Sequence, residues 1–393
     1  MTKEWYSDLP KYYQRQIKAA GLDQVSMDRR AMLKGLAAVG GAAAMGGMMP
    51  RAAQAATQLS YMTWEGYNDP RIVDPFEAAN DAKLNIDLIS DSAGAFSKLA
   101  SGGARDFDVV TSDSPWISRM GPAGICEYLD QDEFADVYDS FYPQFAAPFE
   151  PLMHDGKITG LPSRWGWIGP TINTDFTDPD DWRDYSGVFD SKNKEKIALM
   201  DWGDWPILPI VLEIGINPYK ELDKAELKEI RKALRAVFDN SRLIIGDMSI
   251  AQKGLLDGSI VTTIPSGSYV GSGLRKQGHM NIVSTSPDLG ADGFKKGIIW
   301  LEATAILKNP SNPDLAKKLV RHVTGAEAGL VLSWTDFTSN PSPNASVADK
   351  YTPEQHEALQ TEYMLTSWER SQFHNIAPNI DDMLEIWQEE LSS

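Results

Sequence analysis

Between residues 59 and 111 the chain alternates three short apolar runs with two helical segments. This alternation restricts the fold more than any other feature. Leu59 to Trp64, Lys83 to Ile89 and Phe107 to Thr111 have the length and composition of strands. Asp69 to Ala79 and Ala93 to Ala100 read as the helices between them. Strands separated by helices predict a parallel sheet covered by helices. The stretch Gly156 to Pro162 then reads as a hairpin-like return, and Gly166 to Asn173 as a strand leaving this unit.

A second alternation begins at Lys196, with strand candidates at Lys196 to Met200, Leu243 to Gly246, Ser259 to Ile264 and Asn281 to Ser284. Pro206 to Ile214 reads as a helix, and Glu221 to Asn240 as a charged amphipathic one with Leu227, Ile230, Leu234 and Val237 at helical spacing. The chain returns through Gly297 to Ile306 and ends in helices such as Pro313 to Thr324 and Asn379 to Leu391. No internal repeat is evident. The expected architecture is α/β in two lobes, consistent with 393 residues. An N-terminal lobe takes 56–170 with 298–340, and a C-terminal lobe takes 171–297 with part of 341–393. Ligands of open α/β sheets bind beyond the carboxyl ends of the strands. Two such ends facing each other make a cleft that can close by hinge motion.

The formal charge of −18 excludes nucleic acid and anionic membrane as natural partners, since both need basic surfaces. The first 55 residues read as an export leader. Arg29 and Arg30 precede a Gly/Ala/Met-rich run from Gly35 to Met49, and Ala53 and Ala55 have the spacing of a peptidase site. The paired arginines resemble a twin-arginine signal with an extended n-region. The run is too short and glycine-rich for a stable membrane span. Removing the leader, with its eight basic and four acidic residues, turns the net charge from −18 to −22. Cys126 is the single thiol, so an internal disulfide is impossible.

Past the strand ends stand Trp64-Glu65-Gly66-Tyr67, Asp113-Ser114-Pro115-Trp116 and Asp201-Trp202-Gly203-Asp204-Trp205. Trp300 and Glu302 sit two apart on the returning strand and so share a side. Ser367-Trp368-Glu369 lies near the C-terminus. All five segments join a tryptophan to a nearby carboxylate. Singly, each also fits core packing beside a solvated loop. Together, aromatic faces and carboxylates suit an organic cation. A carboxylate on an apolar strand is costly unless paired, and a ligand nitrogen would pair with Glu302.

The order of Trp64 and Tyr67 after the first strand, Leu161-Pro-Ser-Arg-Trp-Gly166, Trp300-Leu-Glu302 and Pro341-Ser-Pro-Asn344 resembles spermidine/putrescine-type periplasmic binding proteins over residues 58 to 390. The resemblance implies a two-lobed, type II-like fold and a cationic organic ligand, a polyamine such as putrescine or spermidine. It also implies a periplasmic location, delivery to an inner-membrane ABC permease, export by the twin-arginine (Tat) machinery, and a monomer without cofactor or metal. Carried over position by position, it implies that Trp64 and Tyr67 sandwich methylenes and that Asp201 and Asp204 hold an amine. Trp300 and Glu302 match a Trp-x-Asp strand, and Glu369 falls near a polar family position. With Asp113, these eight residues form the expected site. Pro265 and Asn340 stand where the family places a tryptophan and a tyrosine, and Asp113 and Ser114 where polyamine binders tend to have Ser and Tyr. Ligand identity therefore does not carry over, and a quaternary amine remains an alternative.

An exported enzyme is the competing class. The five histidines (154, 279, 322, 356, 374) show no metal spacing. Cys126 lacks a nucleophile's signature and reads as a small buried residue. Gly267 to Gly273 lacks the P-loop Lys-Ser/Thr and reads as a turn before a helix. Asp178 to Asp181 lacks the glycine and terminal Glu of a calcium loop.

Overall fold

The computed structural model describes residue 11, residues 57–335 and residues 339–392. Apart from residue 11, residues 1–55, expected to be a leader, lie outside the described residues. Two lobes of α/β structure meet at a cleft, and none of the described helices is long and apolar enough to cross a membrane.

The first lobe begins with β1 (Thr57–Thr63), helix α1 (Pro70–Asn80), β2 (Ala82–Leu88), α2 (Ser92–Ala100), β3 (Val109–Asp113) and α3 (Ser114–Met120). Local chemistry sets α1: Asp69 accepts the Arg71 N–H at 2.8 Å, and Pro70 occupies the first turn, where its missing donor costs nothing. Strand β1 pairs in parallel with both β2 and β3. No loop follows β3, because Ser114 already opens α3.

The expected strand over 166–173 is two strands. Strand β4 (Leu161–Ile168) ends before Gly169-Pro170, and β5 (Thr171–Asn173) follows. A Cβ at Gly169 would lie 1.9 Å from the Thr285 carbonyl oxygen, so only glycine permits this crossing of chains. In the second lobe β6 (Ile197–Met200), helix α4 (Ile207–Glu213), α5 (Lys224–Asn240), β7 (Ser241–Ile245), α6 (Met248–Asp257), β8 (Thr262–Ile264), α7 (Ser268–Lys276) and β9 (Ile282–Ser284) follow. Strands β8, β6 and β7 form a parallel sheet, and β9 pairs antiparallel with β5. Helix α5 starts in a reciprocal cap of Asp223 and Glu226, and buries Ile230, Leu234 and Val237.

Strand β10 (Gly297–Ile306) carries the chain back, and every one of its residues is buried. Just before it, Lys296 donates to Asp184 at 2.7 Å and to Glu213 at 2.6 Å, pinning its start to the second lobe. Its other end pairs antiparallel with β3, and along its length it pairs antiparallel with β4. After α8 (Pro313–Thr324), α9 (Ala326–Ser333) and α10 (Glu362–Arg370), strand β11 (Ser371–Phe373) joins Gly297 to Ile299 in parallel. The final helix, α11 (Ile380–Leu391), packs on α5, with the Phe238 and Trp387 rings 4.7 Å apart.

Candidate functional site

A cavity of about 680 Å³ lies where the carboxyl ends of β1, β3 and β6 face one another across the cleft. Trp64 follows β1, Asp113 ends β3, and Asp204 lies just beyond β6. Strand β10 contributes Trp300 and Glu302, and all five of these residues line the cavity.

A row of charge crosses the first-lobe sheet at this end. Glu302 on β10 stands opposite Asp113 on β3 and opposite Arg164 on β4. Arg164 grips the carboxylate with two bonds, Nε to Oε2 at 3.0 Å and Nη2 to Oε1 at 2.8 Å. Both side chains are nearly sealed, at 6% and 7% exposure. The Tyr67 hydroxyl donates to the same Oε2 at 2.8 Å, and Ser163 Oγ donates to the Glu302 carbonyl at 3.1 Å. Burial pushes the Tyr67 hydroxyl well above its usual pKa, aided by the Glu302 charge, so it stays a donor. Burial works against the Arg164 charge, but Glu302 more than restores it and leaves its pKa raised.

This network corrects two expectations. The positive partner of Glu302 is Arg164, so its charge is met within the fold and is not left for a ligand nitrogen. Tyr67 is 0% exposed and outside the cavity wall, so, contrary to expectation, its ring is not presented to the cavity. Its hydroxyl serves the buried ion pair instead. Tyr67→Phe is expected to lower stability by about 1.5–3 kcal/mol, the usual value of a hydrogen bond to a charged group. Urea denaturation would measure it, and a variant as stable as wild type would deny the hydroxyl that role.

The remaining acids divide clearly. Asp201 is exposed and lies outside the cavity, its backbone N–H donating to the Ile245 carbonyl at 2.8 Å. Glu369 is exposed on α10 and also outside it. The expected pairing of Asp201 with Asp204 is therefore absent. The chain turns through Trp202 and Gly203, and only Asp204 reaches the cavity. Asp113 and Asp204 are each partly buried, come from opposite lobes, and make no ion pair among the described residues. Burial raises Asp113 to about 7, helped by the charges of Glu302 and Asp204 and opposed by Ser92 and Arg164. Burial likewise raises Asp204 to about 6.

Rings form the rest of the wall. Trp202 and Tyr269 lie 6.2 Å apart, and Tyr269 meets Trp300 edge-on at 6.4 Å. Trp205 stacks on His374 at 4.3 Å. Arg164, Tyr269 and His374 escaped sequence reasoning. Arg164 had a detectable signal, a lone cation in the apolar run Leu161 to Ile168 matching the lone carboxylate of β10. Tyr269 and His374 had none, because their place depends on how distant segments dock.

The pattern of the bacterial extracellular solute-binding protein family matches residues 71–361, most of the chain. No curated protein matches the sequence significantly. Among solved structures, the chain is similar to a spermidine/putrescine ABC transporter substrate-binding protein of Streptococcus pneumoniae in complex with calcium and HEPES. That match has 15% identity and a TM-score of 0.67, over 86% of this chain and 99% of the other. A binding protein of A. tumefaciens R10 in complex with agropinic acid has 16% identity and a TM-score of 0.59, over 86% and 99%. A Trichodesmium protein in complex with iron and citrate has 14% identity and a TM-score of 0.56, over 85% and 97%. At such identities the likeness concerns the fold alone, and the ligands differ widely. The two-lobed α/β architecture and the match over residues 71–361 agree: the chain belongs to the bacterial extracellular solute-binding protein family.

Proposed function

We propose that this protein binds a small cationic organic amine between its lobes and delivers it to an inner-membrane ABC permease, without catalysing a reaction. The observation that carries the reading is the pair Asp113 and Asp204, two carboxylates without ion pairs among the described residues, in an aromatic cavity. Two like charges in a half-dry site repel each other and resist ionisation, and an ammonium group relieves both penalties. Tryptophan faces add cation–π attraction along the ligand's carbon chain. A polyamine such as putrescine or spermidine fits two acids contributed by different lobes. A quaternary ammonium compound fits the rings but leaves the carboxylates without an N–H to accept.

The acids give a pH test. Asp113 and Asp204 hold protons at low pH, up to about 7 and about 6 respectively, and a bound cation needs them ionised. Affinity for putrescine should therefore strengthen as pH rises from 5.5 to 8, by up to about tenfold per unit for each proton displaced. Calorimetric titration at constant ionic strength reads this directly. A flat profile, or no binding by any amine in a panel, would overturn the reading.

In this reading the protein works as a periplasmic monomer exported by the twin-arginine route. Replacing Arg29 and Arg30 together by Lys is expected to leave precursor in the cytoplasm. Cell fractionation with normal periplasmic delivery of the double variant would exclude that route.

A further inference from the structure

All five histidines are partly or fully enclosed by packing, and His322 and His356 satisfy a ring nitrogen within the fold. His322 Nε2 lies 2.8 Å from the Ile72 carbonyl, and His356 Nδ1 lies 2.9 Å from Thr361 Oγ1. His374 differs. It is 6% exposed, it lines the cavity, and its ring has no hydrogen-bond partner among the described residues. Its position is nevertheless well fixed. Its backbone N–H donates to the Ile299 carbonyl on β10 at 2.8 Å, its ring stacks on Trp205 at 4.3 Å, and Tyr219 meets it edge-on at 6.4 Å. A buried polar group held rigidly without a partner costs stability unless something else supplies one. Here the open side is the ligand cavity.

We infer that His374 is a specificity-determining residue: a ring nitrogen accepts a hydrogen bond from an N–H or O–H of the ligand, so protic amines and amino alcohols bind in preference to quaternary ammonium compounds that lack a hydroxyl. This rests on the cationic-amine reading above. Burial lowers the pKa of His374 to about 3, so at neutral pH the imidazole is uncharged, with one nitrogen free to accept. An imidazolium at this place would instead repel the ligand cation. The carboxylates thus fix charge, and His374 reads whether a proton is available on the ligand's second polar group.

His374→Phe keeps a ring against Trp205 and removes both nitrogens, while His374→Gln restores an acceptor. Calorimetry with putrescine, ethanolamine and butyltrimethylammonium, which has no N–H or O–H, on wild type and both variants tests the inference. His374→Phe should weaken putrescine and ethanolamine about tenfold while butyltrimethylammonium changes less than about twofold, and His374→Gln should recover most of the loss. In wild-type protein, the His374 ring nitrogen resonances should move on adding putrescine far more than on adding butyltrimethylammonium, a readout that needs no variant to fold. Putrescine affinity within about twofold of wild type in a folded His374→Phe protein, or equal losses for putrescine and butyltrimethylammonium, overturns the inference alone. Absence of binding by all three probes to wild type overturns the cationic-amine reading beneath it.

Discussion

Asp113→Asn is expected to weaken putrescine binding by about 1.5–3 kcal/mol, roughly 10- to 100-fold in the dissociation constant. It is also expected to make the empty protein more stable above neutral pH. The two effects have one cause. Asp113 closes β3 beside Glu302, with Asp204 facing it from the other lobe, and its pKa in the fold is raised to about 7. A carboxyl whose folded pKa exceeds its unfolded value contributes stability that is complete below the unfolded pKa, near 4, and lost as pH rises through 7. The ligand-free protein should therefore melt at lower temperature at pH 8 than at pH 5.5 on account of this group. Asn removes the charge and hence the loss, but it also removes the acceptor that holds the ammonium. Melting curves and calorimetry on one preparation separate the possibilities. Weaker binding with a higher melting temperature at pH 8 is the expected result. Unchanged affinity would remove Asp113 from the ligand's surroundings, and with it the case for a cation.

The parts of this site legible in the sequence are those that backbone topology dictates. Trp64, Asp113 and Asp204 line the cavity because each follows or ends a strand whose carboxyl end faces the cleft, and Trp300 because it shares a side of β10 with Glu302. The bounds of β10 could be read from its largely apolar run between Gly297 and the Asn309-Pro310 turn, interrupted by Glu302. What could not be read is which way a side chain points after the strand stops. Asp201 and Asp204 are three residues apart, and the turn at Gly203, with φ of 67°, leaves one in solvent and the other in the cavity. Tyr67 lies three residues past Trp64, yet the turn through Gly66 sends its ring beneath the wall. Interlobe docking, not local pattern, brings His374 and Tyr269 to the same space.

Glu302 is the case where the pattern was legible and its meaning was not, and its substitution should have the larger effect on folding. Glu302→Gln leaves the Arg164 guanidinium buried without its counter-charge. Breaking a buried pair from one side typically costs about 3–5 kcal/mol, more than the pair itself contributes, because the surviving ion stays desolvated. The strain falls where β10 meets β4, at the register shift between Glu302 and Ala303, so strand pairing beside the cavity should loosen as well. Hence Glu302→Gln should lower the denaturation midpoint sharply, with faster amide exchange along Leu161 to Arg164. A double substitution, Glu302→Gln with Arg164→Met, removes both charges and should recover much of the loss. Such recovery is what distinguishes an internal ion pair from a ligand contact. A carboxylate reserved for the ligand would behave in the opposite way. Glu302→Gln would then leave stability near wild type and lose affinity alone, and adding Arg164→Met would deepen the damage. Equilibrium denaturation of wild type, Glu302→Gln, Arg164→Met and the double variant closes the cycle.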